Sequence, residues 1–246
     1  MDANAYTTNN HTAYLFESTD NFYEALDEFM DYVQNPYYTD ENVEKEKGII
    51  AQEIKMYDDH PGWQVYMNAM ECMYKNHPIK IDIAGTVESI AKIDADLLYR
   101  CYNTFYNLNN MFLSIAGNVD VDKVIEICDE MLKPCKNHNL ETVFEEEPET
   151  VFERETVQNL EVATPLFNIG FKAKSENGRA GLKADIETNI VLALLADDSS
   201  PLYKKMFDKG LINSNFGTEV FSGDGFFCSI FGGESRNPHE VLSEII

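Results

Sequence analysis

The stretch TVESIAKIDADLLYRCYNTFYNLNNMFLSIAGNVD, residues 86–120, decides the fold class. Thr86 is placed to cap a short helix over 87–90, because a hydroxyl just ahead of a helix can accept from one of its unpaired amides. Asp94 is placed to do the same for 95–105, and Asp120 for a helix running to about Leu132. Between them, residues 111–116 form an apolar run closed by Gly117-Asn118, which reads as a strand. Helices and strands that mix without strict alternation predict an α+β protein, a layered α/β sandwich, more than a doubly wound parallel sheet.

Working outward, residues 4–16 are rich in Thr and aromatic side chains and interrupted by Asn9-Asn10, so they predict a strand or two strands around a turn. So abrupt a start predicts a pairing neighbour upstream of Met1. After the cap cluster Ser18-Thr19-Asp20, Phe22, Leu26, Phe29, Met30 and Val33 recur at helical spacing until Asn35-Pro36. A second helix starts near Asp40-Glu41 and turns Val43, Ile50, Ile54 and Tyr57 to the core; a third runs from Trp63 to about Tyr74. The aromatic set Tyr14, Phe16, Phe22, Phe29 and Tyr32 reads as core. Residues 133–155, with Lys133-Pro134 and the run Glu145-Glu146-Glu147-Pro148-Glu149, read as an exposed linker. The expected organisation is therefore 1–140, an acidic linker 141–155, and 156–246. The last part reads as a strand over 166–171, helices over 184–195 and 201–209, strands over 217–221 and 226–232, and a helix from Pro238 in which the chain stops.

With 246 residues, 44% hydrophobic and 25% charged, the chain can bury a sizeable core. Asp and Glu number 43 against 19 Lys and Arg, a formal charge of −24, which argues against a phosphate-binding surface and so against nucleic acid. The acidity reads either as a solvated surface or, where a cleft concentrates it, as attraction for basic peptides or cations. No stretch approaches the roughly 20 apolar residues of a membrane span, and the first residues lack a basic and an apolar export region, so no membrane partner is expected. Five scattered cysteines without C-x-x-C speak against a disulfide framework or a cysteine zinc knot and fit a cytoplasmic location. Gly223-Asp-Gly225 and Gly232-Gly233 are hairpin and turn glycines, with no G-x-G-x-x-G pattern for a phosphate loop.

The second helix carries the candidate chemistry. Glu46 and Glu53 are seven residues apart, two turns, and share a face about 10 Å apart along the axis. On spacing alone they read as a solvated helix face.

Several blocks in one order, NAYTTNNHTAYLF (4–16), VEKEKGIIAQEI (43–54) and HPIKIDIAGTVESIAKIDADLLYRCYNTFYNLNNMFLSIAGNVD (77–120), resemble the pitrilysin or insulinase-type zinc metallopeptidases, which include the mitochondrial processing peptidases. The phrasing around residues 83–120 resembles the bacterial processing-protease-like branch. SSPLYKKMFDKGLINSNF (199–216) and FFCSIFGGES (226–235) are similar to the structural domain that follows in that family. The resemblance implies a processing-peptidase-type fold, the first domain nearly complete and the second truncated. It also implies zinc held by H-x-x-E-H on one helix and by a distal glutamate on another, with Glu53 aligned to that distal ligand and Glu46 to the acidic residue that supports the site from behind. A carboxylate in that place leaves zinc an open position for water. Asn4, Ala5, Tyr6 and Thr7 align with the edge strand that adds the substrate peptide as an extra strand, an ordinary strand being the alternative.

His11, His60, His77, His138 and His239 make no H-x-x-E-H, so two histidine ligands and the general base are expected upstream of Met1. His60, beside Pro61, reads as a capping or solvent residue. The expectation is a fragment of a zinc-dependent metalloendopeptidase that cleaves peptides in a closed chamber. The full-length family protein would hold zinc, while this chain alone would bind none and be inactive. The alternative is a non-catalytic peptide-binding or assembly subunit of the same superfamily. Expected partners are a peptide and a second copy or a homologous subunit.

Overall fold

The computed structural model describes residues 2–136, 139–143 and 145–246. His138, one of the histidines considered above, lies outside the described residues. Two compact units emerge, Met1–Gln52 with Ile83–Val143, and Glu53–Asp82 with Phe144–Ile246. Both mix helix and sheet, as the α+β reading requires.

In the first unit, β1 (Asp2–Thr7) and β2 (Thr12–Glu17) pair as an antiparallel hairpin about Asn9-Asn10, Asn4 opposite Leu15 and Tyr6 opposite Ala13. Helix α1 (Phe22–Gln34) buries Leu26 and Met30. Its cap differs from the expected Ser18-Thr19-Asp20 cluster: Asn21 takes the position in the left-handed conformation, φ 53°, with no side-chain cap bond, a backbone that asparagine tolerates better than most residues. Helix α2 (Asp40–Asp58), whose residues from Glu53 on belong to the second unit, buries Val43 and Ile54 and half-buries Ile50 and Tyr57, the expected stripe. Helix α4 (Val87–Ile90) is closed by a capping box of Thr86 and Ser89. The Leu97 amide of α5 (Ala95–Phe105) donates to Asp94 at 2.7 Å, and α6 (Val121–Met131) starts on Asp120.

Phe16 packs against Phe22 and Phe29, and Tyr14 against Tyr32 and Tyr106, with the Tyr14 and Tyr106 hydroxyls 2.8 Å apart. Burial, the Tyr106 hydrogen bond and neighbouring phenols hold the Tyr14 phenol well above its ordinary value. Tyr32 departs from its core assignment, since its ring touches Tyr14 edge-on yet is 68% exposed. Residues 111–116 also depart from expectation. They form no strand among the described residues, and Phe112 stands 94% exposed. An apolar run becomes a strand only where a ladder partner takes its backbone groups.

The second unit is built on a three-stranded antiparallel sheet in the order β3-β5-β4, from β3 (Leu166–Ala173), β4 (Gly217–Gly223) and β5 (Phe226–Glu234). Side chains alternate across a strand, so the register assigns each residue to a face. Phe167, Ile169, Phe231 and Val220 share one face with the core contributed by α7 (Gly178–Ala196), α8 (Pro201–Asp208) and α9 (Pro238–Ile245), whose buried members include Leu192, Met206 and Val241. Helix α7 begins six residues before the expected start, its opening turns hidden in the sequence by Gly178 and Gly181. Much of it faces outward, with Leu182 62%, Ile190 55% and Leu194 74% exposed.

The opposite sheet face meets α3 (Pro61–Met73), where Met70, Met73 and Tyr74 pack with Cys228 and Ile230. The approach is close because β3 has a glycine there: a Cβ on Gly170 would lie 2.5 Å from Met73 Sδ. Gly170→Val should therefore cost about 1–3 kcal/mol by overpacking. Adding Met73→Ala should recover part of that cost in urea unfolding; a fully additive double variant would refute the close-approach account.

Candidate functional site

The α2 carboxylates come from one local cause. At 100° per residue, the buried stripe of Val43, Ile50, Ile54 and Tyr57 leaves Glu46 and Glu53 on a common line flanking it. Both side chains are exposed, and neither has a hydrogen bond or ion pair among the described residues. Of the neighbouring acids, Glu44 is engaged, taking an ion pair from Lys47. Glu53 thus offers an exposed carboxylate without a partner among the described residues, on α2.

Metal chemistry asks for more than this. A catalytic zinc takes three protein ligands and keeps one open position. Among the described residues, no group of three His, Cys, Asp or Glu converges. The four described histidines are occupied otherwise. His60 caps α3, its Nδ1 accepting from the Trp63 amide at 3.0 Å, as its turn position predicted. His11 bonds Thr8 and Asn10 in the β1–β2 turn. Buried His77 accepts from the Ile79 amide at Nδ1 and so donates from Nε2 to the Asp224 carbonyl, 2.9 Å away. His239 lies 3.3 Å from Glu155. The donors among the described residues therefore do not by themselves fit a zinc ion, which asks for three ligands.

The β1 residues are placed for a different task. All six are exposed, and β1 is paired on one side with β2, leaving its outer edge without a strand partner among the described residues. Such an edge presents free backbone N–H and C=O groups to an incoming chain. The Asn4 side chain accepts from the Ala5 amide at 2.8 Å, Tyr6 is 53% exposed against the His11 ring, and Thr7 meets Thr12 across the pair. Asn4, Ala5, Tyr6, Thr7 and Glu46 belong to the first unit and Glu53 to the second.

A buried anion site lies where a solvated linker was expected. Glu147 accepts from the successive amides of Lys75, Asn76 and His77 at 2.9, 2.7 and 2.8 Å and pairs with Lys172 at 2.6 Å. Its side chain is 10% exposed and that of Lys172 5%. Burial alone would raise the Glu147 carboxyl; the Lys172 ammonium and the three amide donors override this and hold it down at about 2. Lys172 also donates to the Met73 and Thr150 carbonyls and lies over the Tyr74 ring. Nothing in the local sequence separates Glu147 from Glu145, Glu146 or Glu149. Its partners lie about 70 and 25 positions away, beyond the reach of spacing arguments.

Against known proteins, the family described as "Insulinase (Peptidase family M16)" matches residues 1–87, and that described as "Peptidase M16 inactive domain" matches residues 92–246. The chain is 42% identical over 248 residues to the Bacillus subtilis protein named uncharacterized zinc protease YmfH, covering 99% of this chain and 58% of that one. A solved M16-like peptidase from Alicyclobacillus acidocaldarius superposes with TM-score 0.91 at 37% identity, over 99% of this chain and 58% of that chain. A Helicobacter pylori protease, 19% identical with TM-score 0.80 over 99% of this chain and 60% of its own, shares the fold. The chain thus spans somewhat over half the length of these relatives.

Proposed function

As the chain belongs to the M16 peptidase family, we propose that it is the part of a zinc metalloendopeptidase that contributes the distal carboxylate ligand, Glu53, and the substrate-pairing strand β1, and that it does not cleave peptides by itself. The observation carrying this reading is the whole-chain match to a relative named a zinc protease, in a sequence with no H-x-x-E-H. Glu53 is exposed on α2, and the resemblance aligns it with the family's distal ligand; Glu46, two turns earlier on the same helix, would support it. Zinc, where bound, would supply a Lewis acid and an activated water. This chain's part would be one oxygen ligand, with peptide backbone held along β1 near Asn4 and Tyr6. The portion 1–140 would then be the catalytic-type remainder, 141–155 the connection and 156–246 the opening of the structural domain.

A second reading, a non-catalytic peptide-binding or assembly subunit, is favoured by one observation: the match over 92–246 is to a domain described as inactive. Partners of either would be a peptide and a second or homologous M16 subunit, and the cytoplasm the expected location.

The test is metal content with a peptide-cleavage assay on the purified chain. Less than about a tenth of a zinc per chain and no chelator-sensitive cleavage are expected, since one carboxylate cannot replace three ligands. Stoichiometric zinc with metal-dependent cleavage would overturn the proposal.

A further inference from the structure

Helix α7 is apolar on two opposite sides. At 100° per residue, Thr188, Leu192 and Ala196 share the side that meets the sheet core, where Leu192 and Ala196 are buried. The opposite side carries Leu182, Ile186, Ile190 and Leu194, each four residues after the last and each at least half exposed. A helix that is hydrophobic all round belongs in a buried setting. Among the described residues, this second stripe, about 18 Å long, is left to solvent.

The charges at the two ends run the wrong way for an isolated helix. The macrodipole favours acidic side chains in the first turn and basic ones in the last. Helix α7 has no acidic residue in its first turn and no basic residue in its last. Arg179 stands in the first turn instead, Asp197 is the C-cap and Asp198 follows. Arg179 and Asp197 lie about five full turns apart, so they point the same way, along the middle of the exposed stripe. Arg179 is exposed and has no hydrogen bond or ion pair among the described residues. The exposed Asp197 carboxylate accepts there only from the Asp198 amide, at 2.8 Å. Beside the stripe, Lys183 and Glu187 satisfy each other within the helix at 3.6 Å.

We propose that two copies of this chain pair through their α7 faces, antiparallel, about a two-fold axis level with Thr188. The pattern is its own complement under that operation. Leu182 of one copy meets Leu194 of the other, Ile186 meets Ile190, and Arg179 meets Asp197, each pairing occurring twice. The antiparallel turn sets each Arg179 beside the other copy's acidic helix end, which offsets both misplaced charges, and it opposes the two helix dipoles. A parallel pair would instead place like charges together. Four large side chains a copy make a small interface, so a reversible dimer with a Kd on the order of 10–100 µM is expected. The inference takes from the proposed function only its second copy as partner, and needs neither zinc nor peptide.

The experiment is sedimentation equilibrium of the full chain from about 5 to 300 µM, at about 0.3 M salt to screen the charge of −24. A monomer–dimer equilibrium is expected. Ile190→Glu, which puts an unpaired charge into the contact from each copy, should weaken it at least about tenfold. Arg179→Asp and Asp197→Arg should each weaken it about 3- to 10-fold, although they change the net charge in opposite directions, and the two together should restore it to within about twofold. Each single reversal also suits the helix's own dipole better, so the urea midpoint should hold or rise while association falls; a folding defect would lower both. A chain monomeric at the highest concentration would overturn the proposal and leave the face to a segment or protein outside this chain. Association untouched by Ile190→Glu, a double reversal no better than the single ones, or assembly growing past the dimer would each overturn it as well. Metal content and cleavage do not enter the readout, so this proposal and the zinc-peptidase reading fail separately.

Discussion

Joined to a segment carrying an H-x-x-E-H helix, this chain is expected to support chelator-sensitive peptide cleavage that Glu53→Gln removes and Glu46→Gln merely weakens. The two residues share a helix, a chemical type and an exposed setting, so they form an internal control. Loss of a direct ligand should lower cleavage by more than about 100-fold, beyond the 10- to 100-fold range of residues that act from behind the ligands, where Glu46 should fall. Zinc content should drop with Glu53→Gln and not in proportion with Glu46→Gln. Since both side chains are exposed, neither change should move stability by more than about 0.5 kcal/mol, which separates a site effect from a folding effect. Equal losses from the two variants would remove the distinction on which the assignment of Glu53 rests.

Replacing Glu147 by alanine is expected to destabilise the second unit by ~3–5 kcal/mol at pH 7, because it strands the buried Lys172 ammonium and three amide donors together. The lowering of the carboxyl from an ordinary 4.5 to about 2 by Lys172 and the three amides is of the same scale, ~3 kcal/mol. The folded-state value is the lower one, so this stabilisation is complete above about 4.5 and is lost as pH falls towards about 2. Urea unfolding followed through the single tryptophan, Trp63, which lies on α3 in the same unit, reads both effects. Parent and variant should differ most at neutral pH and converge near pH 2. A difference that stays constant across that range would show that Glu147 acts through packing and not through its charge.

Which features were legible in the sequence follows from the range of the interactions behind them. Thr86, Asp94 and Asp120 cap helices whose boundaries lie within three or four residues of the cap, and the structure places all three as expected. The Asn9-Asn10 turn is equally local, as is the turn role of His60. Residues 111–116 show the opposite case: their apolar pattern is real, but strand formation is a property of a pair, and the second member was not in the pattern. Asn21 displaced a better-looking cap cluster because the entry to α1 needed a left-handed residue, a backbone demand that composition does not display. In sequence Glu147 is one more charge in a solvated run, and its burial depends on partners brought together by the fold. At the candidate site, the resemblance of ordered sequence blocks singles out Glu53 as the proposed ligand, while spacing alone does not tell it from any other exposed glutamate.

The outward apolar residues of α7, Leu182, Ile190 and Leu194 among them, acquire a colloidal meaning beside the charge of −24. Molecules that carry such a patch attract one another at contact, and long-range like-charge repulsion is what keeps them from reaching contact. That barrier thins as the screening length shrinks from about 10 Å at 0.1 M salt to about 3 Å at 1 M. The dispersed state of this chain is thus a balance set by ionic strength, and added salt brings the α7 faces of different molecules together.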